Sequence, residues 1–272
     1  MIFGGWWFNN KEKKQMTGAS LQTSTLSEEA RRFREQIGDR QAFFETCEGG
    51  DAGSPEAPSI WLLGLEPGWS TADEKRENEA GTTALGQSGD YSVERQLDWP
   101  FNRSAFKLLA ALHGEEPKTY VDFAQRMRPF EKGCTGFFKG NLFPEPCNKI
   151  DSWDDEHRLT TGFDTKADYQ EWMRKGRFPI IRSWIETCRP KLVICCGLSH
   201  LHDFLTATHT DDVPERHSFV INGHAKRMHI AQSGTVPIAV IPHLTGPKGL
   251  NSDEAIAHVA EYIRSVLGLA KT

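Results

Sequence analysis

The stretch Ser59-Ile60-Trp61-Leu62-Leu63-Gly64-Leu65-Glu66-Pro67-Gly68-Trp69-Ser70 decides the fold. Residues 60–65 form a short, nearly unbroken apolar run, the pattern of a strand buried on both faces of a parallel sheet. The next residues end that strand. Gly64 lets the backbone pass close to a neighbour, Pro67 cannot donate a ladder hydrogen bond, and Gly68 permits a sharp turn. They stand at the carboxyl end of the strand, where open α/β sheets bind ligands. Glu66 is pinned between Leu65 and Pro67 and reads as a positioned carboxylate. Taken alone, the same residues also describe an ordinary strand-to-loop turn with a solvated acid.

Three further strands can be read outward from it. Residues 137–144, Phe-Phe-Lys-Gly-Asn-Leu-Phe-Pro, end in a Pro-rich turn; 191–196 run into a turn at Gly197 and then a helix; 236–241 end in Pro242-His243. Residues 219–221 and 227–231 can pair as a hairpin around Gly223. Helical spacing of apolar residues follows Ser27 to about residue 47, and follows Asn102 or Ser104, either of which can cap. It also follows Thr119 and runs over 167–175, and Pro179 separates that helix from another over 180–188. Asn251-Ser252-Asp253-Glu254 is a capping box for the terminal helix. Alternating strands and helices predict a three-layer α/β/α sandwich around a central, mainly parallel four-stranded sheet. Residues 1–26 are expected to be a flexible arm and 27–272 a single domain. Two polar segments interrupt it: 71–98, long enough to be a lid, and the acidic 149–166.

With 272 residues, 38% apolar and 25% charged, the chain can bury a full core. No run of eighteen apolar residues and no cleavable leader are visible, so a cytoplasmic protein without a membrane span is expected. Cys47, Cys134, Cys147, Cys188, Cys195 and Cys196 lack a Cys-x-x-Cys pair and read as reduced thiols. His200 and His202 lack the context of a zinc helix, Leu201 stands where a Gly-x-Ser-x-Gly elbow needs glycine, and Pro247 removes an amide from Gly246-Pro247-Lys248-Gly249. No metal or cofactor is expected. A net charge of −5 argues against coating nucleic acid but leaves room for a local basic groove.

If the strands before Glu66 and His243 are parallel neighbours, both side chains face one crevice. The carboxylate can orient water or stabilise positive charge, and the imidazole can donate to a leaving anion. Asn141 adds a donor and an acceptor on one planar amide, the geometry that reads a nucleobase edge, and Phe101 offers a stacking face. Each also has a plain alternative: His243 as a loop residue, Asn141 as a partner for backbone groups, Phe101 as core.

Together these residues resemble the uracil-DNA glycosylase superfamily. Gly64-Leu65-Glu66-Pro67-Gly68 is similar to its first motif, with Glu66 at the water-positioning place. Trp99-Pro100-Phe101 resembles the segment whose aromatic stacks on the flipped base, and Asn141 in Gly-Asn-Leu-Phe-Pro resembles the strand-end Asn that recognises uracil. Arg189-Pro190-Lys191 with the strand to Gly197 resembles the family's Arg-Pro-Lys strand, and Pro242-His243 with Gly249-Leu250-Asn251 its closing motif. The resemblance runs from about residue 58 to 268. It implies a monomeric, monofunctional base-excision enzyme acting on DNA. In it Glu66 and His243 are catalytic; Gly64, Pro67, Gly68, Phe101 and Asn141 hold the nucleobase; Arg103 and Lys248 contact phosphate, and Leu244 or Leu250 is the wedge. His243-Leu244-Thr245 stands where the family has His-Pro-Ser, and the loop after it is longer. Two alternatives stand beside this: a hydrolase or transferase of a free nucleoside or nucleotide on the same fold, and a non-catalytic nucleic-acid-binding module.

Overall fold

The computed structural model describes residues 26–68, 91–147, 152–208 and 211–268. In chain order they form α1 (Glu28–Gly38), β1 (Gly49–Gly50), β2 (Gly53–Ser54), β3 (Ala57–Pro58), β4 (Ile60–Gly64), α2 (Val93–Gln96), α3 (Pro100–Leu112), α4 (Tyr120–Met127), β5 (Phe137–Asn141), α5 (Asp155–Thr161), α6 (Lys166–Cys188), β6 (Leu192–Cys196), α7 (Leu201–Thr208), β7 (Glu215–Ile221), β8 (His224–Ser233), β9 (Val236–Ile241) and α8 (Asp253–Leu267). The expected N-terminal arm lies outside the described residues, as does most of the 71–98 segment. None of the described helices is long and apolar enough to cross a membrane.

The main sheet runs β1-β5-β4-β6-β9-β8-β7. Its middle is the expected parallel set, β5-β4-β6-β9, with Gly64 opposite Asn141, Leu63 opposite Cys195 and Cys196 opposite Ile241. The sheet has seven strands rather than four because antiparallel strands extend both edges: β1 on β5, and the β8–β7 hairpin on β9. β1 is only Gly49–Gly50 and carries no apolar signature to read. The hairpin turns at Asn222 and Gly223, both with positive φ (51° and 78°), the backbone of a tight turn whose twist matches its strands.

Alternation along the buried strands feeds two cores. Ile60, Leu62, Phe137, Leu192 and Ile194 pack with the apolar faces of α3, α4 and α8. Trp61, Leu63, Phe138, Val193 and Cys195 pack with α1, α6 and α7. This is the three-layer α/β/α sandwich.

Several helix ends differ from the sequence reading. α3 starts at Pro100 behind Trp99 with no side-chain cap, since proline's fixed φ suits the first helical position; Asn102 and Ser104 therefore lie inside the helix. α1 stops at Gly38, and a 3-10 turn (Gln41–Thr46) follows. α6 runs straight through Pro179. Pro179 and Lys175 are both exposed, so water can meet the Lys175 carbonyl that proline leaves unpaired, while Tyr169, Met173, Phe178, Ile181 and Ile185 keep one buried face. The acidic 149–166 segment contains α5, whose Asp154 and His157 form a reciprocal cap.

Trp61 is the largest side chain in the sheet, fully buried, 4.6 Å from the Phe138 ring, with its Nε1–H donating to the Ala52 carbonyl at 2.8 Å. Trp61→Ala should lower unfolding free energy by about 3–5 kcal/mol. Trp61→Phe, which mainly orphans that carbonyl, should cost about 1–3 kcal/mol. Urea unfolding monitored by circular dichroism checks both.

Candidate active site

The parallel register puts the ends of β5, β4, β6 and β9 at one edge. Gly64 faces Asn141 across the β4–β5 pair. A Cβ at Gly64 would lie 2.2 Å from Asn141 Oδ1, so the close approach that the glycine permits is to this amide. Asn141 is itself buried, and its backbone carbonyl accepts from Arg177 Nε at 3.2 Å. Arg177 is a fully buried cation on α6; it also donates to Thr46 Oγ1 at 2.7 Å and lies 4.8 Å from the Phe43 ring centroid. Beyond Gly64 the two chains stay paired, with Leu142 N–H donating to Gly64 and Phe143 N–H to Leu65. Pro67 is buried; Gly68 pairs with Cys147 and has open space around its Cα, so glycine is not sterically required there.

A second group forms on the α3 side. Phe101, half-buried in the first turn of α3, lies 5.3 Å from the exposed His243 ring at 50°. The amide of Thr245 donates to His243 Nδ1 at 3.2 Å, with the Thr245 hydroxyl at 3.1 Å. The Thr245 carbonyl oxygen lies 3.2 Å from the same nitrogen, so Nδ1 faces both a donor and an acceptor of Thr245, and the contacts orient the ring without selecting its tautomer. The Leu250 amide then closes the loop onto the His243 carbonyl at 2.8 Å. Leu244 and Leu250, the two wedge candidates, are fully buried in the α3/α8 core. Neither is available to enter DNA, because the longer loop folds back and uses them as packing. Beside them lies a cleft of about 230 Å³ lined by Arg103, Ser104, Lys107, Tyr120, Thr245 and Asn251, among others. Arg103 also donates to the carbonyls of Leu97 and Asp98, and Lys107 pairs with Asp253 at 2.6 Å. Lys248 is exposed.

Lys139 supports Phe101 from within, its ammonium 4.9 Å from the ring centroid. That ammonium is buried and meets three acceptors: Asn102 Oδ1 at 2.7 Å, Tyr91 Oη at 2.9 Å and Glu48 Oε2 at 3.0 Å. Burial opposes its charge, but Glu48 and Tyr91 outweigh burial and hold its pKa above the usual lysine range. Asn102 donates on to Gln96, and Gln96 to the carbonyls of Tyr91 and Pro129. The sequence reading missed this network. Its one visible signal is a lysine in the middle of the apolar run Phe137-Phe138-Lys139-Gly140.

Glu66 turns to other partners. Lys166, the first residue of α6, donates to Oε1 at 3.1 Å and lies 2.8 Å from Oε2, with both side chains almost out of solvent. Burial raises the Glu66 pKa, opposed by Lys166, His200 and a hydrogen bond from the Cys147 thiol. Burial, then the Glu66 charge, pushes that thiol up to about 11. Its Sγ lies 3.6 Å from His157 Nε2, and His157 Nδ1 lies 2.6 Å from Asp154. The strands before Glu66 and His243 are parallel but not neighbours, since β6 stands between them. Two strand spacings separate the two chains, about 10 Å. Among the described residues no group of three or more His, Cys, Asp or Glu side chains is placed to hold a metal.

Glu145, near His157, Glu156, Glu29 and Asp154, is pushed up to about 7, burial being the largest cause. Its folded pKa lies above the unfolded value, so the folded state holds the extra proton, and stability falls as pH rises from about 4.5 toward 7. Glu145→Gln should therefore be more stable than the parent at pH 8, by on the order of 2 kcal/mol, and equal to it near pH 4. Chemical denaturation at the two pH values tests this.

A scan of the chain against protein-family models finds no match, and a search of curated protein sequences finds none either.

Proposed function

We propose that the protein is a DNA glycosylase that hydrolyses the N-glycosidic bond of uracil or another deaminated base. The observation that carries this reading is the meeting of Phe101 with His243 and of Gly64 with Asn141 at the carboxyl edge, with Glu66 two strands from His243. About 10 Å is room for one extruded nucleotide, its base toward His243 and its sugar toward Glu66. Leaving the stack costs a few kcal/mol, and stacking on Phe101 returns about 1–3 kcal/mol. Asn141 pairs with the base edge. As the bond breaks, the His243 imidazole donates to the base oxygen that gains negative charge. Glu66 faces the cationic sugar and orients the attacking water, whose oxygen bonds to C1′ as the base departs. Arg103 and Lys248 serve as phosphate contacts.

Two observations favour a second reading, an enzyme of a free nucleoside or nucleotide. Leu244 and Leu250 are core residues, so the obvious wedge is missing, and the net charge is −5.

Incubation with oligonucleotides carrying uracil, hypoxanthine or xanthine, single-stranded and mismatched, should yield abasic sites. Glu66→Gln and Asn141→Ala should each lower the rate by about 10²-fold or more. Gly64→Ala should do the same with little loss of stability. Its Cβ meets the free end of the Asn141 side chain, which can swing away at small cost to the fold but not to recognition. Hydrolysis of free nucleosides with every oligonucleotide intact would establish the second reading; binding without turnover of either would make the protein a binding module.

A further inference from the structure

We propose that Lys166 is a positioning residue that clamps the Glu66 carboxylate in one orientation at the end of β4. The consequence for rate rests on the glycosylase reading; the clamp itself does not. Lys166 donates to Oε1 at 3.1 Å and its ammonium lies 2.8 Å from Oε2, a buried oxygen with no hydrogen-bond partner of its own among the described residues, so the ammonium is the charge that orients the carboxylate. Only 11% of the Lys166 side chain and 8% of the Glu66 side chain are exposed, so water screens the pair little.

The location of this lysine is a separate argument. It occupies the first position of α6, where the helix dipole favours acids and disfavours cations. Thr165 already caps the helix by accepting from the Asp168 amide at 3.1 Å, so Lys166 does nothing for the helix end. Its placement is explained by what it faces.

The groups around Glu66 come from four elements. α6 supplies Lys166, the continuation of β5 supplies the Cys147 thiol with Glu145 beyond it, α5 sets His157 against that thiol, and the turn after β6 supplies His200. His200 is drawn to Asp203, 3.7 Å away, and Asp203 is paired with Arg174. The thiol is a weak donor. Burial is already the largest influence on Glu66, and Lys166 is the main group opposing it; with Lys166 removed, burial favours the protonated acid still more, and that form cannot act as a base.

The test uses the full chain as wild type, Lys166→Met and Lys166→Arg. Glutamate is labelled with ¹³C at its carboxyl carbon, and Glu66→Gln identifies the Glu66 resonance. The NMR titration midpoint of Glu66 should rise by at least one pH unit in Lys166→Met and return toward wild type in Lys166→Arg. The acid limb of base excision should move with it, so that the rate at pH 6 relative to pH 8 drops in Lys166→Met, by at most tenfold for each unit of the midpoint shift. An unchanged Glu66 midpoint in folded Lys166→Met overturns the proposal. If that variant does not fold, Lys166→Gln is titrated and judged by the same outcomes. A shifted midpoint in a protein that excises no base supports the clamp while removing the glycosylase reading. An unmoved midpoint in an active enzyme removes the clamp alone.

Discussion

The carboxyl edge depends on the register between β4 and β5. Gly64 lies opposite Asn141, and the missing side chain of one leaves space for the amide of the other. A slip by one residue would turn each strand's side chains to the opposite face. Asn141 would then point toward the α6 core and Lys139 would lose its partners. The register is held where the strands are most apolar, by Trp61, Leu62 and Leu63 packed into both cores. It is also held by Arg177, which ties the Asn141 carbonyl to α6. Thus the hydrophobic pattern of the strand positions a polar side chain just beyond it.

The polar groups of the edge are held by three buried cations, one on the α3 face and two on the α6 face. Lys139 gathers Glu48, Tyr91 and Asn102 beneath Phe101, while on the α6 face Arg177 holds the backbone carbonyl of Asn141 and Lys166 the carboxylate of Glu66. A buried ion pair seldom adds net stability over an apolar replacement, because desolvation offsets much of the attraction. What it provides is a single geometry, since each partner left alone would be a buried charge. These contacts are better understood as directing side chains than as sources of stability.

The fold was largely legible in the sequence because strands buried on both faces leave continuous apolar runs and helix starts leave Ser caps. Ser27 caps as read, the four parallel strands occur where the runs predict, and the hairpin around Gly223 forms the far edge of the sheet. At α8 only the Ser252 half of the expected capping box forms, because the third helical residue is Ala255, which has no side-chain group to return the bond. The other edge strand, β1, was not legible. β1 is two glycines whose pairing depends on a strand nearly ninety residues away, and nothing local encodes that. Pro179 misled for a related reason: the penalty for proline in a helix depends on whether its orphaned carbonyl faces water, a property of the folded surface. At the site, Gly64, Asn141 and His243 could be placed at one edge from strand-end positions alone, whereas Phe101, at a helix start, entered through the proline before it and the family resemblance. Lys139 left one signal, its place inside an apolar run, and Lys166 left none, because a lysine at a helix start looks the same whether solvated or buried. Leu244 and Leu250 failed in the opposite direction: an apolar residue in a loop reads equally as a wedge or as core, and only the path of the loop decides.

The separation of Glu66 from His243 limits what chemistry the edge can support. With β6 between their strands, the two side chains are not positioned as an acid–base pair exchanging a proton directly, the arrangement that activates a nucleophile. They can instead act on opposite ends of one substrate bond, an anion developing at one end and a cation at the other. Of the two, the carboxylate is in the less favourable surroundings, since its burial resists ionisation while His243 is open to solvent. The edge therefore depends more on what surrounds Glu66 than on what surrounds His243, and the nearest fixed cation there is the lysine that opens α6.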